Sequence, residues 1–281
     1  MGLLDGKVAI ITGAGAGLGR SYAFALAKEG AKIVVNDIGC GLAGEGIDST
    51  VADKVVEELK NMGYEAVASY DSVAERQGAQ AIVKTAKDAF GAVDILINNA
   101  GILRDKSFLK MTDENWQAVV DVHLKGSFML SQEAALVMKE QGRGGRIINV
   151  SSLAGLIGNF GQSNYGSAKA GIAGLTRVLA VELGRYDITV NAVAPVAVTR
   201  MTENLPHFQG MDKSILAPEL ANPMLLFLAS DLSDHISGRI IGLEGNHYFV
   251  YKMVKTPGVK DSEGWSPEKI LESWNKIEEL N

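Results

Sequence analysis

The stretch Lys7-Val-Ala-Ile-Ile-Thr12-Gly13-Ala-Gly-Ala-Gly17-Leu-Gly19, followed by Lys32-Ile-Val-Val-Asn-Asp37, decides the fold. Lys7 to Thr12 is a short apolar run bounded at once by glycines, which reads as a buried strand. Leu18 to Glu29 reads as a helix, and Lys32 to Asp37 as a second strand ending in a carboxylate. Strand, glycine turn, helix, strand and acid make a βαβ unit. In that context glycines allow a tight turn and close backbone approach to a pyrophosphate, while the helix N-terminus offers free amides and a favourable dipole. Gly13, Gly17, Leu18 and Gly19 are therefore candidate dinucleotide contacts. Asp37 would accept from the adenosine ribose hydroxyls and repel a ribose phosphate, which favours NAD over NADP. Arg20 is read as lying along the helix surface, not as a phosphate ligand.

The same alternation continues outward. A glycine-rich loop, Ile38 to Ser49, is longer than most connections of its kind and reads as a specific insertion or a mobile segment. Helices are expected at Val51–Met62 and Arg76–Phe90, with strands at Glu65–Ser69, Val93–Asn98, Arg146–Val150, Thr189–Val193 and Ile240–Leu243. Thr112-Asp-Glu-Asn opens a further helix with a hydroxyl cap and acids in its first turn. A helix holding Tyr165 runs to about Leu183, and another covers Ala221–Ala229. This order predicts an α/β fold, a Rossmann-like doubly wound parallel sheet, in a single domain over residues 1–245. Asp71 and Ser72 follow the third strand, where they could meet an adenine; Asn98, Asn99, Ala100 and Gly101 end the fourth, where small residues admit a cofactor.

Asn149-Val-Ser-Ser152 and Ser163-Asn-Tyr165-Gly-Ser-Ala-Lys169 carry the chemistry. Tyrosine and lysine four apart share one helix face. A free phenol, with a pKa of about 10, is a poor base near neutrality, and an adjacent ammonium favours its phenolate. The pair can exchange a proton with a hydroxyl or carbonyl, and Ser152 can hold the same oxygen.

Bulk properties bound the partners. The 281 residues, 47% hydrophobic and 21% charged, have an ordinary globular composition. A net charge of -6 argues against nucleic acid. The lone Cys40 excludes an intrachain disulfide and reads as an inert loop thiol, and no metal site is expected. No apolar run approaches the roughly 20 residues of a membrane span. No secretory leader or peroxisomal terminus is seen, so a cytoplasmic protein is expected. The tail, residues 246–281, holds Trp265 and Trp274, and Pro267 opens a short helix capped by Ser266. This C-terminal extension is read as packing on the protein's own sheet, as a dimer contact, or as a lid.

Together these motifs resemble the short-chain dehydrogenase/reductase family over roughly Gly6 to Glu244: Thr12-Gly-x-x-x-Gly17-x-Gly19, Asn98-Asn-Ala-Gly101, Ser152, Tyr165-x-x-x-Lys169 and Pro195 to Thr199. The resemblance implies Tyr165 as general acid/base, Lys169 on the nicotinamide ribose and Ser152 on the substrate oxygen. It further implies Pro195 and Thr199 beside the nicotinamide. The family's usual asparagine, on the helix before the Ser152 strand, is replaced here by His123, which could serve in a proton relay or be a satisfied helix histidine.

Val-His123-Leu-Lys-Gly-Ser, Gly158-Asn-Phe-Gly-Gln162-Ser-Asn-Tyr165 and Asn99-Ala-Gly-Ile-Leu-Arg104-Asp are similar to the dehydrogenase domain of the peroxisomal multifunctional enzyme type 2. That likeness implies oxidation of (3R)-hydroxyacyl-CoA to 3-ketoacyl-CoA with NAD, in a homodimer or homotetramer. The alternative is a hydroxysteroid (17β-type) or other secondary-alcohol substrate. No hydratase or sterol-carrier region is read, so a free-standing, bacterial-type version is expected. Arg104, Lys106, Arg200 and Lys213 could meet CoA phosphates, and 201–217 is read as the pocket-forming segment.

Overall fold

The computed structural model describes residues 2–199 and 213–280. Arg200, the Lys213 side chain and most of the 201–217 segment lie outside the described residues. Strands β1 (Val8–Thr12), β2 (Lys32–Asn36), β3 (Ala66–Ser69), β4 (Ile95–Asn98), β5 (Gly145–Val150), β6 (Ile188–Val196), β7 (Ile240–Glu244) and β8 (His247–Tyr251) form one sheet. Their order is β3-β2-β1-β4-β5-β6-β7-β8, parallel from β3 through β7. Strands buried on both faces read as continuous apolar runs, which is why Val8–Thr12 and Ile95–Asn98 were legible.

Helices α1 (Gly17–Lys28), α2 (Thr50–Asn61), α3 (Arg76–Phe90), α4 (Asp113–Val120), α5 (Gly126–Gln141), α6 (Leu153–Leu156), α7 (Ser163–Leu183) and α8 (Asn222–Ala229) follow the strands. Two apolar layers result. Ala9 and Ile11 of β1 pack with Tyr22 and Leu26 of α1 and Leu225 of α8. Val8 and Ile10 pack on the other face with Ile82 of α3 and Leu130 and Met138 of α5. Thr112 caps α4 as expected, its Oγ1 accepting from Asn115 N at 3.2 Å.

Three features go beyond the sequence reading. The helix opened at Thr112 is not continuous: Asp121–Lys125 is a π-helical segment between α4 and α5. Such π-bulges mark an extra residue in a helix and often sit at functional sites. The tail begins with a strand, β8, beyond a turn at Gly245 and Asn246, next to β7 in the sheet. The short helix α6 was also unforeseen.

The chain divides into two compact units, Met1–Val250 and Tyr251–Asn281. The second holds α9 (Pro267–Glu278), capped by Ser266, whose Oγ accepts from Lys269 N at 3.3 Å. Thr256 Oγ1 donates to Ile277 O at 2.7 Å within that unit. Among the described residues no helix is long and apolar enough to cross a membrane.

Candidate active site

Strand order reverses between β1 and β4, and the crevice at the carboxyl ends of such strands is where ligands enter doubly wound sheets. A cleft of about 370 Å³ lies there. Its wall brings together Gly13, Gly17, Leu18, Asp37, Asp71, Ser72, Asn99, Ala100, Gly101 and Thr199, all expected from the sequence. Gly13 has φ +62°, and a Cβ there would approach Ala100 Cα to 2.9 Å. A Cβ on Gly19 would strike the Gly13 carbonyl, so the turn and the helix meet only through glycine. Ala16 caps α1 without a side-chain hydrogen bond, which leaves the helix amides for an anion.

Thr12, which the sequence motif contains without a role, is a structural member of this cradle. Its buried hydroxyl accepts from Asn99 N and Ala100 N, each at 3.0 Å. Asn99 Nδ2 returns bonds to Thr12 O at 2.9 Å and Gly13 O at 3.1 Å, which clasps the glycine turn to the end of β4. Asn98 instead turns inward, donating to Asn149 Oδ1 at 2.8 Å and Ser131 Oγ at 3.0 Å. Asp37 accepts from Gly15 N at 2.8 Å and Gly39 N at 2.7 Å. Asn36 Nδ2 holds Asp71 O at 2.9 Å, and Asp71 Oδ2 accepts from Ser69 Oγ at 3.2 Å. The long loop after β2 is tied down: Leu103 N donates to Leu42 O at 2.9 Å and Arg104 Nε to Ala43 O at 2.8 Å. Arg104, a candidate for a CoA phosphate, is thus engaged by that loop and by Glu114 at 3.4 Å. Lys106 is exposed, as expected of a surface contact.

Ser152, Tyr165 and Lys169 converge beside this cleft. Ser152 caps α6, its Oγ accepting from Ala154 N at 3.3 Å. Tyr165 stands in the first turn of α7, and Lys169 one turn later carries its Nζ 5.5 Å from the phenol ring centre. Lys169 is 3% exposed and donates to Val150 O at 2.5 Å. Burial pushes its pKa down to about 7. Burial raises the Tyr165 phenol above its usual value; the hydrogen bond from Ser152 acts in the opposite sense, and the Asp105 charge adds to the rise. The sequence reading expected a lowering by the ammonium; the shift runs the other way, and burial is its largest cause. Pro195 lies on β6 in register with Leu243 of β7, and is not part of the cleft wall.

His123 sits in the π-helical segment, 2% exposed, edge-on to Tyr165 with ring centres 5.1 Å apart. Its Nε2 is 2.9 Å from Ile102 O and 3.1 Å from Ile102 N. Nδ1 has no hydrogen-bond partner among the described residues. Burial, with the Lys169 charge, lowers its pKa to about 3, so the imidazole is neutral near neutrality. A Cβ on Gly101 would collide with this ring. Gly101 lines the cleft, so cleft, imidazole and phenol form one contiguous stack.

The glycine cradle, the uncapped α1 amides and the Asp37 carboxylate fit a dinucleotide, with the phenol and ammonium adjoining one end. The family model for short chain dehydrogenase matches residues 7–210. The chain is 47% identical over 276 residues to the peroxisomal hydratase-dehydrogenase-epimerase of Saccharomyces cerevisiae, covering 96% of this chain and 30% of that protein. It is similar to full-length peroxisomal multifunctional enzyme type 2 from Drosophila melanogaster, with a TM-score of 0.79 and 35% identity over 98% of this chain and 46% of that one. It thus spans under half the length of either relative. A 7α-hydroxysteroid dehydrogenase solved with NADH and 7-oxo glycochenodeoxycholic acid matches with a TM-score of 0.77 and 34% identity, over 86% of this chain and 94% of that one. The chain belongs to the short-chain dehydrogenase/reductase family, oxidoreductases that act on CH–OH groups with a nicotinamide cofactor.

Proposed function

We propose that this protein oxidises (3R)-hydroxyacyl-CoA to 3-ketoacyl-CoA with NAD. The observation that carries the reading is the Ser152–Tyr165–Lys169 cluster adjoining the cleft, in a chain similar over nearly its whole length to multifunctional enzymes whose name includes a dehydrogenase. Asp37 supports NAD, since a carboxylate at the end of β2 accepts hydroxyls and repels a phosphate. When bound, the nicotinamide supplies the acceptor for the hydride leaving C3.

The residues do the rest. Tyr165, as phenolate, takes the C3 hydroxyl proton as the C–H bond breaks. Ser152 and the newly protonated phenol then both donate to the ketone oxygen. Lys169, its Nζ 5.5 Å from the phenol ring centre, would hold the nicotinamide ribose hydroxyls. Gly13, Gly17, Leu18 and Gly19 would take the pyrophosphate, Asp71 and Ser72 the adenine side, and Asn99, Ala100, Gly101 and Thr199 the nicotinamide half, with Pro195 on β6 reached only beyond the cleft wall. His123, neutral and held by Ile102, keeps the phenol's edge packed.

The second reading, a hydroxysteroid or other secondary-alcohol dehydrogenase, is favoured by the likeness to the 7α-hydroxysteroid enzyme. Initial rates of NADH formation on (3R)- and (3S)-hydroxyacyl-CoA and on hydroxysteroids separate the two. Turnover of the (3R) thioester alone is expected; steroid turnover alone selects the second reading, and a silent panel removes both.

A further inference from the structure

Asn164 precedes the tyrosine and is fully buried, at 0% exposure. Its amide is saturated. Nδ2 donates to Arg104 O at 3.0 Å and to Asn115 O at 3.1 Å, while Oδ1 accepts from Tyr165 N at 2.8 Å. The Tyr165 N–H belongs to the first turn of α7, where backbone donors have no partner within the helix. One side chain therefore ties the tyrosine's own backbone to α4 and to the segment after β4. Two neighbouring bonds fasten the same segment: Gln162 Nε2 donates to Asp105 Oδ2 at 2.8 Å, and Lys106 N to Gly161 O at 2.9 Å. On its other side the segment grips the loop over the cofactor cleft through Leu103 N and Arg104 Nε. Leu103 to Lys106 is thus a strap between that loop and the catalytic helix.

We infer that Asn164 is a positioning residue that sets where Tyr165 stands relative to Ser152 and Lys169. The inference rests on the proposed role of Tyr165 as acid/base. Three directional bonds fix an amide in place, and a small displacement of a catalytic group can cost about a hundredfold in rate. Asn164 does not itself line the cleft, meets the lining residue Arg104 only at its backbone carbonyl, and bonds none of the trio's side-chain heads, so its loss should act mainly on kcat.

The test compares N164A with N191A. Asn191 is likewise 0% exposed and makes two backbone bonds, to Ile236 O at 2.8 Å and from Arg239 N at 3.0 Å, far along β6. Both variants should melt below the wild type. N164A should lose at least about tenfold in kcat, with KM and the NADH dissociation constant within about twofold of wild type, while N191A keeps its kcat. N164S retains an acceptor for Tyr165 N–H and one donor, and should fall between; it replaces N164A if the latter does not fold. Wild-type kcat in both Asn164 variants, or an equal loss in N191A, overturns the inference.

Should the wild type itself turn over none of the panel, the proposed substrate is wrong and a second readout decides the inference. That readout is the tyrosinate absorbance titration of the NADH complex, with Y165F subtracted. The groups facing the phenol are Ser152, Lys169, His123 and Asp105. A Tyr165 titration displaced in N164A and unchanged in N191A supports positioning; superimposed curves refute it.

Discussion

Gly101 to alanine is the substitution whose cost the structure defines most sharply. The added Cβ would fall inside van der Waals distance of three His123 ring atoms, Nε2 and Nδ1 at 3.0 and 3.1 Å and Cε1 closer still. The ring cannot swing aside easily, because Ile102 holds Nε2 and Tyr165 packs against its edge. Overpacking of this kind costs about 1–3 kcal/mol. For a chain of this size that is a fall of roughly 2–4 °C in Tm per kcal/mol. The source of the cost is tested by a cycle with His123→Ala. In the H123A background the alanine at 101 meets empty space, so its penalty should vanish, giving a coupling of about 1–3 kcal/mol between contacting residues. Thermal or urea unfolding of wild type, G101A, H123A and the double variant measures it. Additive effects of the two substitutions would refute the collision, and with it the stack from cleft to imidazole to phenol.

Y165F should lower turnover by at least about a hundredfold, the usual scale of general acid–base catalysis, with NADH binding retained by fluorescence titration. D37S removes the carboxylate that accepts from Gly15 N and Gly39 N, and with it the charge opposing a phosphate, so the ratio of kcat/KM for NAD over NADP should fall by tenfold or more, on the order of one charge-assisted bond. The raised phenol pKa sets a limb in the kcat profile: the phenolate is the active form for oxidation, so rate should rise with pH and fall as pH drops below that pKa. His123 carries a stability slope. Its folded pKa, about 3, lies below the unfolded value of 6.5, so as pH falls below 6.5 only the unfolded chain binds the proton and stability is lost down to about pH 3. H123N should therefore show a flatter stability decline than wild type across that window by urea denaturation.

Much of this architecture was legible because its signals are local. The βαβ unit follows from an apolar run broken by glycines, and Tyr165 and Lys169 from a spacing of one helical turn. Thr112 and Ser266 announced their helices by their hydroxyls. What stayed hidden depends on distant partners. The amide of Asn164 is answered by carbonyls of Arg104 and Asn115, which no window around residue 164 contains. The π-helical segment at Asp121–Lys125 has no glycine or proline within it to mark the interruption. The aromatic residues from His247 to Tyr251 announce contact of some kind without saying that it is made as a sheet strand, β8, because the neighbouring strand β7 answers them only in the fold. The direction of the Tyr165 shift could not be read from Lys169 alone, because burial acts on both groups and is the larger effect.

The most direct test of the account is isotopic. Purified protein with NAD and (3R)-hydroxyacyl-CoA deuterated at C3 is allowed to react, and the reduced cofactor is analysed by mass spectrometry. The account predicts deuterium in the cofactor, formed by the wild type and not by Y165F. Reduced cofactor free of deuterium, or equal formation by Y165F, would contradict it.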